Sequence, residues 1–96
     1  MDKQWRVYLA GCADGTLYVG ISTDVPRRIR EHNAGKGSKY IIKKRRPVVL
    51  LASVPASSRS VATSMERVLK TRLNRQQKLI FFGIPEWSPK EGEDVD

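Results

Sequence analysis

The sequence predicts a small, single-domain α/β (α+β) fold. Three observations carry this. Residues 6–12 and 16–22 alternate in character and are rich in Val, Ile, Leu and Tyr; residues 48–54 form an apolar run stopped by Pro55; residues 24–34 and 57–74 repeat apolar side chains at helical spacing. A chain of 96 residues is one domain by size. At this length only about 60% of the unfolded surface, or a little more, is buried on folding, so the core has to be compact. An apolar share of 40% and a charged share of 29% exclude a disordered or low-complexity chain.

The first two segments read as a hairpin whose loop length decides its faces. A two-residue loop at Asp14-Gly15 sets Tyr8 opposite Ile21 and puts Tyr8 and Tyr18 on opposite sides. A three-residue loop, Ala13-Asp14-Gly15, has Gly15 in the left-handed region as a bulge after a type I turn. It sets Cys12 against Thr16, Ala10 against Tyr18 and Tyr8 against Gly20. Only this register sorts the side chains cleanly, with Val7, Leu9, Leu17, Val19 and Ile21 on one face and Tyr8, Ala10, Tyr18, Gly20 and Ser22 on the other. The two tyrosines become diagonal neighbours with β-carbons about 7 Å apart, within reach of a common small ligand.

Thr23 or Asp24 is the N-cap of a short helix over residues 24–34, with Pro26 in its first turn, Val25 and Ile29 as anchors and Gly35 as its stop. Arg28 and His32, four apart, share one side, while Arg27, Arg30 and Glu31 fall largely on the opposite, wetter side. Lys36-Gly37-Ser38-Lys39 reads as a flexible basic loop, and Lys43-Lys44-Arg45-Arg46 places four positive charges in a row before Pro47. Residues 48–54 read as a third, well-buried strand. Ser57 or Ser58 then caps a longer helix reaching Asn74, with Ala62, Met65, Leu69 and Leu73 as its buried stripe and Val61 and Val68 at the margin. A last short helix spans Arg75 to Phe82, where Leu79, Ile80 and Phe82 close the core.

Charge points to the partner. The net charge is +8, and it is uneven: residues 1–83 hold 17 Lys and Arg against 5 Asp and Glu, whereas residues 84–96 hold 1 against 5. Residues 1–83 are therefore expected to form the basic domain and residues 84–96 an acidic, disordered, solvating tail. A basic surface attracts phosphate backbones and releases their counterions, which makes nucleic acid the expected partner and Arg27, Lys36, Lys39, Lys43, Lys44, Arg45 and Arg46 the candidate phosphate contacts. No membrane partner is expected, because the longest apolar stretches fall far short of the ~20 residues that cross a bilayer. Residues 1–5 lack the regions of a signal peptide, so the expected location is the cytoplasm. The single Cys12 excludes an internal disulfide and any multi-cysteine metal site, and reads as a small buried apolar residue.

Apart from core and solvated surface stand the paired tyrosines, Arg28 with His32, Glu66 and the basic loops. Each has an ordinary use when taken singly, since strand tyrosines pack and a lone Arg or helical Glu is usually solvated. Glu66 is less ordinary because it adjoins the apolar stripe of its helix.

Val7-Tyr8, Tyr18-Val19-Gly20 and Arg27-Arg28-Ile29-Arg30-Glu31-His32-Asn33 together resemble the GIY-YIG nuclease superfamily. The strings VYLAGCADGTLYVGISTDVPRRIREHNAGKGSKY and RRPVVLL resemble its small, single-domain YhbQ-type branch, and the likeness spans residues 5–82. A lone YVG says nothing. Two tyrosines on a hairpin, an Arg ten residues after the second, a His four further on and a helical Glu downstream form a specific combination.

The resemblance implies a small three-stranded antiparallel sheet flanked by helices. It implies a metal-dependent endonuclease or phosphodiesterase that hydrolyses DNA, with structure-specific repair or recombination as its setting. Tyr8 or Tyr18 would help deprotonate the attacking water, Arg28 would stabilise phosphate charge, and Glu66 would hold Mg²⁺ or Mn²⁺. His32 would orient a tyrosine or the water, or touch phosphate, and the sequence leaves these roles open. Two departures bear on activity: Arg6 replaces the glycine of the first motif triplet, and Lys78 stands where many family nucleases carry a polar residue such as Asn, with Asn74 as the available substitute. A catalytically weak or inactive nucleic-acid-binding module of the same fold is therefore the alternative, and a basic accessory protein of ribosomes or RNA the third reading. DNA is expected ahead of RNA, and the identity of any protein partner is left open.

Overall fold

The Ala13-Asp14-Gly15 loop is bulged. In the computed structural model, which describes residues 3–89, Gly15 has φ 89°. Its N–H donates to Cys12 O at 2.9 Å, and Cys12 N–H donates to Thr16 O at 2.9 Å. A side chain at that φ would be strained, so glycine lets the chain turn in three residues. The loop joins β1 (Trp5–Gly11) to β2 (Leu17–Ser22) in the register with Tyr8 opposite Gly20 and Ala10 opposite Tyr18.

The chain continues through α1 (Val25–Asn33), a 3-10 turn (Lys43–Arg45), β3 (Val49–Ala56), α2 (Arg59–Arg72) and α3 (Arg75–Phe81). The sheet is antiparallel in the order β2-β1-β3, so β1 is central. That position explains its composition: Val7, Tyr8, Leu9 and Ala10 have no exposed surface. A bulge shifts the β1–β3 register, with Leu9 opposite Ala52 but Ala10 opposite Leu50, leaving Leu51 as the extra residue.

Two cores form, one on each face of the sheet. Val7, Leu9 and Val19 pack against Ala62 and Leu69 of α2 and against Leu79 and Phe82 at the end of the chain's last helix. Tyr8, Ala10 and Cys12 pack against Val25 of α1, Ile41 and Val48. Burying each large apolar side chain contributes about 1.5–3 kcal/mol, and both cores are needed at this size.

The caps are local. Asp24 accepts from Arg27 N–H at 3.2 Å and Ser58 from Val61 N–H at 3.1 Å. Asn74 and Gln77 form a reciprocal capping box, each side chain accepting from the other's backbone at 2.9 Å. A further tie crosses the fold: the Asn33 side chain donates to Val48 O at 3.0 Å and accepts from Val48 N–H at 2.7 Å. It fastens the end of α1 to the start of β3.

Several expectations need correction. β3 is an outer strand, not a well-buried one, and Val49 and Leu50 are exposed on it because no strand covers that edge. Ile80 is 62% exposed, and Leu79 with Phe82 closes the core instead. The sequence from Ile84 onward is not a solvated tail at its start: Ile84 and Trp87 pack against the first core, and the apolar surface of β1 draws them there. Residues 90–96 lie outside the described residues.

Candidate active site

The bulged hairpin puts Tyr8 and Tyr18 on one face with ring centroids 6.2 Å apart. Helix α1 lies over that face and brings His32 down onto them. Tyr8 Oη and His32 Nε2 are 2.8 Å apart in a fully buried contact, and the Tyr18 ring meets the imidazole edge-on at 5.1 Å.

Ser38 N–H donates to His32 Nδ1 at 3.3 Å. A neutral imidazole has one proton, so the network assigns it to Nε2, which donates to Tyr8 Oη. Burial, and then the positive charge of Arg28, hold the His32 pKa below its ordinary value, which keeps the ring neutral. Burial pushes the Tyr8 phenol pKa well up, Tyr18 adds to that, and Arg28 opposes it. At neutral pH the Tyr8 phenol is therefore protonated.

Two glycines make this packing possible. A β-carbon at Gly20 would lie 2.4 Å from Tyr8 Oη, and one at Gly37 would lie 2.1 Å from His32 Nδ1. Gly37 and Ser38 thus roof the imidazole. The segment expected to be a flexible basic loop is part of the site, because its backbone is the histidine's hydrogen-bond partner.

Arg28 is partly exposed beside both phenols, and Glu31 accepts from it at 3.0 Å. Glu31 therefore does not sit on the opposite side of α1 as expected; at spacing i+3 it reaches Arg28, and at i+4 it also pairs Arg27. The bond to Glu31 raises the Arg28 pKa and holds the Glu31 carboxyl below the usual range.

Glu66 stands on α2 and is linked to the tyrosine face through Lys70. Lys70 Nζ lies 3.2 Å from its carboxylate and 5.2 Å from the Tyr18 ring centroid. The donor chemistry fits a hard cation such as Mg²⁺ or Mn²⁺, since one carboxylate with waters and a substrate phosphate is an ordinary Mg²⁺ environment. Among the described residues no group of three or more His, Cys, Asp or Glu surrounds it. Cys12 is free and buried.

The candidate phosphate contacts divide. Lys36, Lys39, Lys43 and Lys44 are exposed and form no ion pair among the described residues. Arg27 is exposed but paired with Asp24 and Glu31. Arg45 is committed to Asp14 at 3.1 Å and Tyr40 O at 2.9 Å, and Arg46 is half-buried against Gly35. Neither is a free surface cation.

Arg6 donates to Ser53 Oγ at 2.9 Å and so ties β1 to β3. Asn74 is occupied as the cap of α3 and is not a substitute site residue. Sequence reasoning missed Tyr40, which stacks on Tyr18 at 5.7 Å and lies under the Arg45 guanidinium at 4.1 Å. It also missed Lys70. The i,i+4 spacing of Glu66 and Lys70 was the available signal.

A family model described as the GIY-YIG catalytic domain matches residues 4–79. A UPF0213 protein of Cupriavidus pinatubonensis is 42% identical over 81 residues, covering 84% of this chain and 88% of its own. One of Staphylococcus haemolyticus is 52% identical over 73 residues, covering 76% and 87%. Among solved structures, a protein of E. faecalis is 36% identical with a TM-score of 0.56, covering 83% of this chain and 84% of that chain. A UPF0213 protein of Bacillus halodurans is 38% identical with a TM-score of 0.50, covering 81% of each chain.

Proposed function

The chain belongs to the GIY-YIG catalytic-domain family, and on that premise we propose that it is a metal-dependent nuclease hydrolysing phosphodiester bonds, with DNA ahead of RNA as substrate. The observation that supports this best is the convergence of Tyr18, Arg28 and Glu66 around the buried Tyr8–His32 pair, from three separate elements.

Hydrolysis needs a held water, compensation of developing charge and help for the leaving oxygen. Tyr18, half-buried and next to the exposed part of the site, is the tyrosine whose phenol oxygen orients the attacking water. Tyr8 has no exposed surface and is a positioning residue that acts through its neighbours. Arg28 supplies positive charge at the phosphoryl oxygens. Glu66 would hold the divalent cation, which when bound compensates the leaving oxygen.

A catalytically weak binding module is the second reading. Lys70, already against the Glu66 carboxylate, favours it. Incubation of labelled branched, single-stranded and duplex DNA with Mg²⁺ or Mn²⁺ separates the two. The nuclease reading expects cutting that falls by ~10²–10³ in Arg28→Ala, as for loss of one charge-stabilising donor, and that is lost in Glu66→Ala. Cutting undiminished in both variants, or salt-sensitive binding without any cutting, would overturn it.

A further inference from the structure

After α3 the chain folds back along the hairpin end. Ile84 N–H donates to Leu79 O at 2.8 Å. Arg75 then fixes the strap, donating to Gly15 O at 2.5 Å and to Trp87 O at 2.7 Å. The indole rests against Gly11, where an added β-carbon would lie 2.4 Å from it. Trp87 is thus held in place from two sides.

Between this strap and the start of β3 lies a cleft of about 590 Å³, walled by Gly11, Cys12, Ala13, Pro47, Val49 and Trp87. Its volume is within the ~300–1,000 Å³ usual for small-ligand sites, and its walls are mainly apolar, with Trp87, Pro47 and Val49 among them. Ala13 N–H donates to Arg45 O at 2.9 Å, which attaches the 3-10 turn beside the cleft. Lys43 and Lys44 of that turn are exposed and in no ion pair among the described residues. Of the nearby acids, Asp14 is neutralised by Arg45, and Glu86 is exposed on the strap.

We propose that this cleft is a nucleobase site, taking an unpaired base against Trp87 while the flanking phosphates lie on Lys43 and Lys44. The inference rests on the nucleic-acid reading above and specifies the form of strand bound. An aromatic wall accepts any base because every base has a π-face, and adjacent lysines track the backbone without reading sequence. A fully paired duplex keeps its bases stacked inside and cannot fill the cleft. The same turn reaches the candidate active site through Arg45 on Tyr40 and Tyr40 on Tyr18. A strand laid on it spans both places.

Binding is measured in EDTA by anisotropy, with a labelled single strand, an abasic strand of equal length and the corresponding duplex. Wild type is expected to hold the base-bearing strand ~10-fold more tightly than the abasic one, the effect of one stacked base. Trp87→Leu is expected to remove that ratio while leaving abasic binding unchanged. In NMR spectra of wild type, the Trp87 indole N–H is expected to shift with the base-bearing strand and not with the abasic strand. Equal affinity for the two strands, a ratio kept in Trp87→Leu, or an indole signal that stays still overturns the proposal, and the NMR arm stands if Trp87→Leu fails to fold. Base-dependent binding by a protein that cuts nothing would support this site and sink only the nuclease reading.

Discussion

Tyr8 Oη accepts from His32 Nε2 at 2.8 Å, and the direction of that bond is set from the far side of the ring by the backbone of Ser38. A loop amide thereby decides which way a buried proton points. The histidine is a donor to the tyrosine in this arrangement and not its base.

Stability should follow the protonation of His32, the only histidine in the chain. Its pKa is lowered in the folded state, so the unfolded chain takes up a proton first as pH falls. Stability is full above the unfolded value of about 6.5 and declines below it, toward the lower folded value. Asp14 and Glu31, whose pKa values are also lowered, add a loss of the same sign only near and below pH about 4. The melting temperature is expected to fall between pH about 7 and about 5, and to stay level over that range in His32→Gln. A level wild-type profile would count against a buried neutral imidazole.

The two tyrosines should separate by readout. Tyr8→Phe leaves the His32 Nε2–H buried without an acceptor and is expected to cost about 1–3 kcal/mol in denaturant unfolding. Tyr18→Phe is expected to melt as wild type does while losing ~10²–10⁴ in single-turnover cleavage. Undiminished cleavage by Tyr18→Phe would remove it as the group that handles the water.

Gly20→Ala and Gly37→Ala press on the same buried pair from opposite ends, at Tyr8 Oη and at His32 Nδ1. Both rings are fully buried, so each substitution is expected to destabilise by about 1–3 kcal/mol. Both should also move the His32 ring resonances. Wild-type spectra in both variants would mean that the contacts are looser than described.

Asn33→Ala removes both bonds to Val48 and is expected to cost about 1–2 kcal/mol. Hydrogen exchange at the Val48 amide should quicken more than exchange in the middle of β1. Equal protection in variant and wild type would show that the tie is not maintained in solution.

Much of this was legible in the sequence because it is local. The faces of the hairpin follow from a three-residue loop ending in Gly15, and the bounds of α1 from Asp24, Pro26 and Gly35. Spacing together with the family resemblance singles out the tyrosine pair, Arg28 and His32, and in the structure they lie side by side. What was not legible depends on contacts between distant segments. Ser38 on His32, Asn33 on Val48 and Trp87 on Gly11 leave no periodic trace, and glycines at 11, 20 and 37 look like loop or strand glycines until the ring each one admits is known. The Ile84–Pro89 strap was misread because acidic composition outweighed its two apolar anchors, Ile84 and Trp87.

The clasp between Asn33 and Val48 has one more consequence. It pins both ends of the excursion that carries Lys36, Lys39, Lys43 and Lys44, with Ile41 as its single buried foot. Its exposed lysines can therefore change to alter what the protein grips, while Gly37, Ser38, Tyr40 and Arg45 keep their contacts and the sheet keeps its pairing.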